Sequence, residues 1–357
     1  MRAIRKIKIE GFKSIASAEL ELGDLNVVIG ANGSGKSNLI GAFRLLERVC
    51  SRRLQAFVAG EPDRLLHHGR KVTPTLSLAF VLGGSSYGLK LRVQKDTLVL
   101  ENERASSGEE LLREPEPADY EGEVFKETIR FFSHESVEDC FPIGKDFFVY
   151  HFHDTSDSCA AKQASAIDDN RLLRPDAANV AAYLYWLQEK QPVEFRNIEE
   201  HVRLVAPFFD GFILAPSRLN ERKIKLEWRH RDSDAYFDAY SLSDGTLRFI
   251  CLATLLLQPS PPPLILLDEP ELGLHPSAIH LLAEMLEAAS TASQVLLATQ
   301  SVALLDYFSA KDVIVAENSG LRLQTTFRRL DEEKLRVWLD NFSLGELWEK
   351  NVLGGRP

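Results

Sequence analysis

The sequence predicts an α/β fold with a mixed central sheet, an antiparallel side sheet and a helical insertion, and three observations predict it. Residues 25–29 are almost continuously apolar and lead through a glycine-rich turn into an amphipathic stretch from Lys36 to about Val49, as expected of a strand covered on both faces and the helix that follows it. Residues 264–267 form a second apolar run and end in two carboxylates. Between 76 and 100, apolar and polar residues alternate across turn signals, the pattern of an antiparallel meander.

In chain order, the opening alternates as Lys6, Ile7, Lys8, Ile9, Glu10, and Leu20 and Leu22 keep that period before Gly23-Asp24. Two half-buried strands joined by a turn are expected. After the first strand–helix unit come Leu76, Leu78, Phe80 and Leu82, then Gly83-Gly84, then Tyr87, Leu89, Leu91 and Val93, then Leu98 and Leu100. Residues 101–123 carry nine Asp or Glu against Arg104 and Arg113, with two prolines, and read as an exposed acidic loop. Amphipathic patterns predict helices over 177–188 and 193–204, and apolar clusters predict strands over 212–214 and 224–228. The whole chain, 1–357, is read as one domain. It divides into an N-terminal lobe (1–100), an acidic loop with a helical insertion (101–210) and a C-terminal lobe (211–357).

Composition narrows the function classes. With 45% hydrophobic and 26% charged residues, and no apolar run near the ~20 residues that cross a bilayer, disorder and membrane insertion are not expected. The opening residues lack the apolar core of a secretory signal. Cys50, Cys140, Cys159 and Cys251 show no CxxC spacing, so a zinc knuckle or disulfide framework is not expected and a reducing cytoplasm is. A net charge of −10 excludes a wholesale basic coat but leaves local basic patches open.

The chemistry sits in three motifs. Gly30-Ala31-Asn32-Gly33-Ser34-Gly35-Lys36-Ser37 satisfies GxxxxGK[ST] between a predicted strand and a helix, the context that makes it a phosphate cradle. Gly30, Gly33 and Gly35 let the loop wrap, so that its backbone through Asn32, Ser34 and Asn38 faces the phosphates of ATP at a helix N-terminus. Lys36 would bridge the β- and γ-phosphates and Ser37 would ligate Mg²⁺. At the second apolar strand's end, Asp268 would hold Mg²⁺ through water and Glu269 would polarise the attacking water. Between these lies Leu242-Ser243-Asp244-Gly245-Thr246, in which Ser243 is a natural helix N-cap and Gly245 offers an N–H to an anion. Read alone, this third motif is equally a plain capped helix.

With all three motifs in this order, the chain resembles the SMC and RecF branch of ABC-type ATPases. The opening IKIEGFKSIASAELELGDLNVVIGANGSGKSNLI, the stretch from Asp268 to Pro276 and GELWEKN near the end are similar to compact bacterial RecF-like ATPases. The likeness covers roughly 1–55 and 235–357. It implies an ABC-type ATPase head and a head-to-tail homodimer with ATP sandwiched between protomers, Ser243 and Gly245 acting on the partner's γ-phosphate. It also implies duplex DNA as a candidate partner, for which Arg2, Arg5, Lys6, Lys8 and Lys13, and Arg218, Arg222, Lys223, Lys225, Arg229 and Arg231, are the available clusters. Alternating Lys and Ile on an edge strand reads first as a solvated face.

Departures from the family pattern shape the alternatives. Gln300 stands where many members have a switch histidine, and it can hydrogen-bond the γ-phosphate or water but carry no proton charge. His275 occupies the region of the usual aspartate after the acidic strand. Tyr150-His151-Phe152-His153-Asp154-Thr155 falls where the family has a glutamine loop, without a glutamine, and its histidines read as packing or loop residues. There is no heptad seam for coiled-coil arms, and a nuclease domain in cis is not expected. A regulatory ATPase subunit gating a separate nuclease or toxin in phage defence is therefore the alternative to a role in DNA maintenance or repair. A third reading, the nucleotide-binding subunit of a membrane transporter, shares the phosphate loop and third motif and is disfavoured by the SMC-like opening and GELWEKN.

Overall fold

The computed structural model describes residues 3–107, 147–319 and 324–356. A hairpin of β1 (Ile4–Phe12) and β2 (Ile15–Glu21) leads into β3 (Leu25–Ile29) and helix α1 (Lys36–Cys50), then a short α2 (Leu54–Val58). The meander follows as β4 (Thr75–Leu82), β5 (Ser85–Gln94) and β6 (Thr97–Ser107). Next come β7 (Phe147–Tyr150), β8 (Ser165–Ala166), and helices α3 (Val180–Lys190) and α4 (Pro192–Val205). Short strands β9 (Phe209–Ile213), β10 (Pro216–Ser217), β11 (Asn220–Ile224), β12 (Glu227–His230) and β13 (Tyr236–Asp238) precede helix α5 (Asp244–Leu256). The chain continues through β14 (Leu264–Asp268), α6 (Pro276–Ser290), β15 (Gln294–Thr299), α7 (Val302–Leu305), β16 (Val313–Ser319), β17 (Gln324–Arg329), α8 (Glu332–Leu339) and α9 (Leu344–Glu349).

The central sheet runs β17-β16-β3-β15-β14-β7. Its strands are parallel except β17, which pairs antiparallel with β16, so the sheet is mixed, as the sequence predicts. The period of two then sorts its residues. Val27, Ile29, Ile265, Leu267, Val295 and Leu297 face a core shared with α3 to α7, while Val28, Leu266, Leu296 and Ala298 face a second core. That second core is filled by α1, whose Leu39, Ile40, Phe43 and Leu46 are buried against both the central sheet and the antiparallel sheet β2-β1-β4-β5-β6. Helix α1 is therefore fixed on two sides, which holds its N-terminus, the end of the phosphate loop, rigidly at the sheet edge.

Two expectations need correction. Residues 101–107, read as part of an acidic loop, complete β6 in register with β5. Their charges are cross-strand partners: Glu101 lies 3.3 Å from Lys90 and 4.0 Å from Arg92, and the Tyr87 hydroxyl donates to Glu103 at 2.5 Å. The remainder of that acidic stretch, 108–123, lies outside the described residues. The single strand expected over 224–228 is two strands, because β11 pairs with β10 and β8 while β12 pairs with β9 and β13.

Candidate nucleotide-binding site

Glycine is required at the phosphate loop by space as well as by dihedral angle. A Cβ on Gly30 would lie 2.3 Å from the Ala316 carbonyl oxygen and 2.6 Å from Ser34 Oγ, and one on Gly35 would lie 2.2 Å from Thr325 Oγ1. Gly33, with φ at 75°, faces open space, so a left-handed backbone is the reason for glycine there and its free side is the mouth of the loop. Gly35 leads α1 at φ 102° without a side-chain cap, and no acidic residue occupies the first turn. The positive end of the helix is thus left for an anion. Lys36 is only 4% exposed, and its ammonium donates to the carbonyls of Gly30 at 2.6 Å and Ala31 at 3.0 Å. Burial lowers its pKa, opposed by the nearby carboxylates of Glu269, Asp268 and Glu271.

Strand register delivers the acidic groups to the same edge. Ile29 pairs with Thr299, and Asp268 with Ala298, so Gly30, Glu269 and Gln300 leave three adjacent parallel strands side by side. The Ser37 hydroxyl donates to Asp268 Oδ1 at 3.2 Å. Burial raises the Asp268 pKa, the Ser37 hydrogen bond opposes that, and Glu269 adds to it. A hydroxyl and a carboxylate facing each other beside a phosphate cradle are the hard oxygen donors that Mg²⁺ takes. Glu269 sits at φ 43°, a strained left-handed conformation for a side chain with a Cβ, held by its N–H bond to the Ala298 carbonyl at 2.7 Å. The Gln300 amide donates to the Glu269 carboxylate. Behind them Glu271, 8% exposed, accepts from the Thr299 hydroxyl and has its pKa raised by burial.

The third motif stands apart in its hydrogen bonding. Ser243 caps α5, accepting from the Thr246 N–H at 3.2 Å. A Cβ on Gly245 would lie 2.5 Å from the Gly273 carbonyl oxygen, so the start of α5 abuts the loop after Glu269. No described hydrogen bond joins Ser243 or Gly245 to the phosphate loop of the same chain. His275, in the place of the family's aspartate, caps α6: its Nδ1 accepts from the Ser277 N–H at 3.3 Å. The loop after β7 holds His151 half-buried, and burial, Arg44 and His153 lower its pKa to about 4. A lowered folded-state pKa means the unfolded chain takes the proton first, so stability from this group is present above about pH 6.5 and is lost as pH falls through about 4. His151→Phe should accordingly flatten the fall of the melting temperature between pH 6.5 and 4, and a slope equal to wild type would contradict this.

Several supporting residues carried no sequence motif. Arg248 is buried on α5 and donates to the carbonyls of Phe152 at 2.9 Å and His153 at 3.0 Å, tying the third motif's helix to the loop beside Asp268. A lone charge, Arg248, in the otherwise uncharged run 247–256 was the available signal. Asn38, expected to face nucleotide, donates to Ser14 Oγ at 2.7 Å, and Ser14 Oγ lies 2.6 Å from Thr325 Oγ1. Asn318 donates to the Gly33 carbonyl at 2.9 Å. The β1–β2 turn and the β16–β17 hairpin therefore brace the phosphate loop from outside.

Comparison with known proteins agrees with this architecture. Residues 25–306 match the family model described as "AAA domain, putative AbiEii toxin, Type IV TA system". Among solved structures, an Smc head bound to the C-winged helix domain of ScpA is similar at a TM-score of 0.60 and 18% identity, over 94% of this chain and 99% of that one. The Smc head with an extended coiled coil from Pyrococcus furiosus, bound to the C-terminal domain of ScpA, gives 0.58 and 16% over 95% and 99%. A Pyrococcus yayanosii Smc head with a coiled coil and joint gives 0.54 and 15% over 95% and 99%. A curated protein, urease accessory protein 2 of Cryptococcus neoformans var. grubii, is 42% identical over 78 residues, 21% of this chain, and the chain spans only 6% of that protein's length. The fold is that of the Smc head domains, with the mixed and antiparallel sheets the sequence predicted.

Proposed function

The chain belongs to the AAA domain family whose model spans residues 25–306, and from that premise we propose that it is a RecF/SMC-like ATPase that binds ATP with Mg²⁺ and hydrolyses it to ADP and phosphate. The observation that carries the proposal is the meeting of Lys36, Ser37, Asp268, Glu269 and Gln300 at one edge of the central sheet. Lys36 leaves its two carbonyls for the β- and γ-phosphates, the backbone from Gly30 to Asn38 cradles them, and Ser37 with Asp268 holds Mg²⁺. The bound ion would neutralise charge on the phosphate oxygens. Glu269 accepts the proton of the attacking water, and Gln300 orients that carboxylate and the water without taking the proton. Lys36→Ala should weaken ATP binding roughly ten- to a hundredfold, the size of a lost hydrogen bond to a charged group. Unchanged affinity in equilibrium titration with a fluorescent ATP analogue would sink the assignment.

Ser243, whose described side-chain hydrogen bonds go to Thr246 of its own helix, and Gly245 serve a second copy in a head-to-tail ATP-dependent homodimer. Duplex DNA is the proposed further partner, in DNA maintenance or repair in the cytoplasm. Its footprint lies at Arg218, Arg222, Lys223, Lys225 and Arg231, all exposed; Arg229 already pairs with Asp210 at 2.6 Å. In the N-terminal cluster Arg5, Lys6 and Lys8 pair with Asp24, Glu19 and Glu10, which favours a solvated face there; Arg2 lies outside the described residues. No helix among the described residues is long and apolar enough to cross a membrane. The family's description and Gln300 support a second reading, a regulatory ATPase gating a separate effector protein. Co-purification from the native host separates the two: a stoichiometric effector favours the second, DNA-stimulated turnover without one favours the first.

A further inference from the structure

Residues 343–355 touch both sides of the nucleotide site without belonging to any of its motifs. Helix α9 opens with a capping box in which Ser343 and Glu346 satisfy each other's backbone. It docks on α7, the helix that starts immediately after Gln300. The Gly345 N–H donates to Asp306 Oδ1 at 2.6 Å, and a Cβ on Gly345 would lie 2.6 Å from Val302 Cγ1. The chain then turns back through Leu353, whose carbonyl accepts from Arg328 at 2.8 Å, to Gly354 and Gly355, both at positive φ. Gly355 is held at both of its backbone groups: its N–H donates to Glu317 Oε1 at 2.6 Å, and its carbonyl accepts from the indole N–H of fully buried Trp348 at 2.7 Å. A Cβ on Gly355 would lie 3.4 Å from Gly30 Cα and 2.7 Å from Val315 Cγ1. Two glycines thus lie against each other, one of them the first of the phosphate loop.

We propose that residues 343–355 form a strap that sets the position of the phosphate loop relative to the Gln300 segment, with Glu317 as the positioning residue that closes it. Gly30 opens the phosphate loop, and without nucleotide its carbonyl accepts from Lys36, so displacement of Gly30 shifts the cradle and the resting position of its ammonium. The strap reaches Gly30 directly and Gln300 through α7, so one element fixes the spacing between the γ-phosphate contacts and the loop. The inference rests on the nucleotide-binding reading above.

Glu317 is half-buried on β16, and its carboxylate's described partner is Gly355, so Glu317→Ala opens the strap without a cavity in the core. Glu317→Gln keeps an acceptor for the same N–H. Equilibrium titration of each full-length variant with a fluorescent ATP analogue, beside its melting temperature without nucleotide, provides the test. Glu317→Ala should bind about tenfold more weakly, the scale of one charge-assisted hydrogen bond, at a temperature well below its melting point, and Glu317→Gln should recover most of that loss. Gly355→Ala, whose Cβ would crowd Val315 Cγ1 at 2.7 Å and the Ala316 carbonyl at 3.2 Å on the strand beside Gly30, should weaken binding in the same direction. Variants that melt lower yet bind like wild type would reduce the strap to a stability element and overturn the proposal. A wild-type chain that binds no ATP analogue would overturn the nucleotide reading and the strap with it, whereas wild-type binding with unaffected variants removes the strap alone.

Discussion

Glu269→Gln is expected to bind ATP with wild-type affinity and to hydrolyse it roughly 10²- to 10⁴-fold more slowly, the usual contribution of a placed general base. The expectation follows from the register. Glu269 is the first residue beyond β14, its N–H is tied to Ala298 of the neighbouring strand, and its carboxylate accepts from the Gln300 amide. Its left-handed backbone, at φ 43°, costs of order 1–2 kcal/mol for a residue with a Cβ and aims the side chain at the loop edge. The amide substitution preserves shape and removes only the proton acceptor. Single-turnover hydrolysis measures the chemistry free of product release, and a rate within a few fold of wild type would take the catalytic role from this residue.

Ser243→Arg should abolish turnover while leaving nucleotide affinity within about twofold, because a lost N-cap costs only about 1 kcal/mol in a helix that is buried along nearly its whole length. The phosphate loop of the same chain is untouched, since no described hydrogen bond connects the two. The sharper consequence appears on mixing. In a head-to-tail dimer, a Ser243→Arg protomer contributes a sound phosphate loop and a Lys36→Ala protomer a sound Ser243, so each mixed dimer contains one complete site. Two inactive proteins combined in equal amounts should recover about a quarter of wild-type activity, as random pairing within a two-fold assembly requires. Failure of the mixture to turn over would place Ser243 outside catalysis in trans.

The parts of the site legible in the sequence were those encoded in contiguous residues. The loop 30–37, the pair Asp268-Glu269 and the cap at Ser243 each announce themselves because a strand end and a helix start must be built locally. The braces were not legible, because Asn318 and Thr325, hundreds of positions from Gly35, meet the loop only when β16 folds beside β3, and Ser14 bridges Asn38 to Thr325 only once they do. Arg248 carried no motif, because its carbonyl partners at Phe152 and His153 lie nearly a hundred positions away. Likewise the acidic residues 101–107 read as loop because their cross-strand cations, Lys90 and Arg92, belong to another segment. The split at Ile224 and Trp228 was hidden for the same reason: both are apolar and close in sequence, yet their strands pair in different sheets. Local chemistry named the candidate groups, and tertiary pairing decided what holds them.

Steady-state ATP hydrolysis in Mg²⁺, measured per protomer across a range of protein concentrations with and without linear duplex DNA, tests the central claim most directly. An ATPase whose site is completed by a second copy gives a rate per protomer that rises with concentration and then saturates, and DNA raises it further if duplex is the partner. A rate per protomer independent of concentration, or no turnover at any concentration, would contradict the composite site.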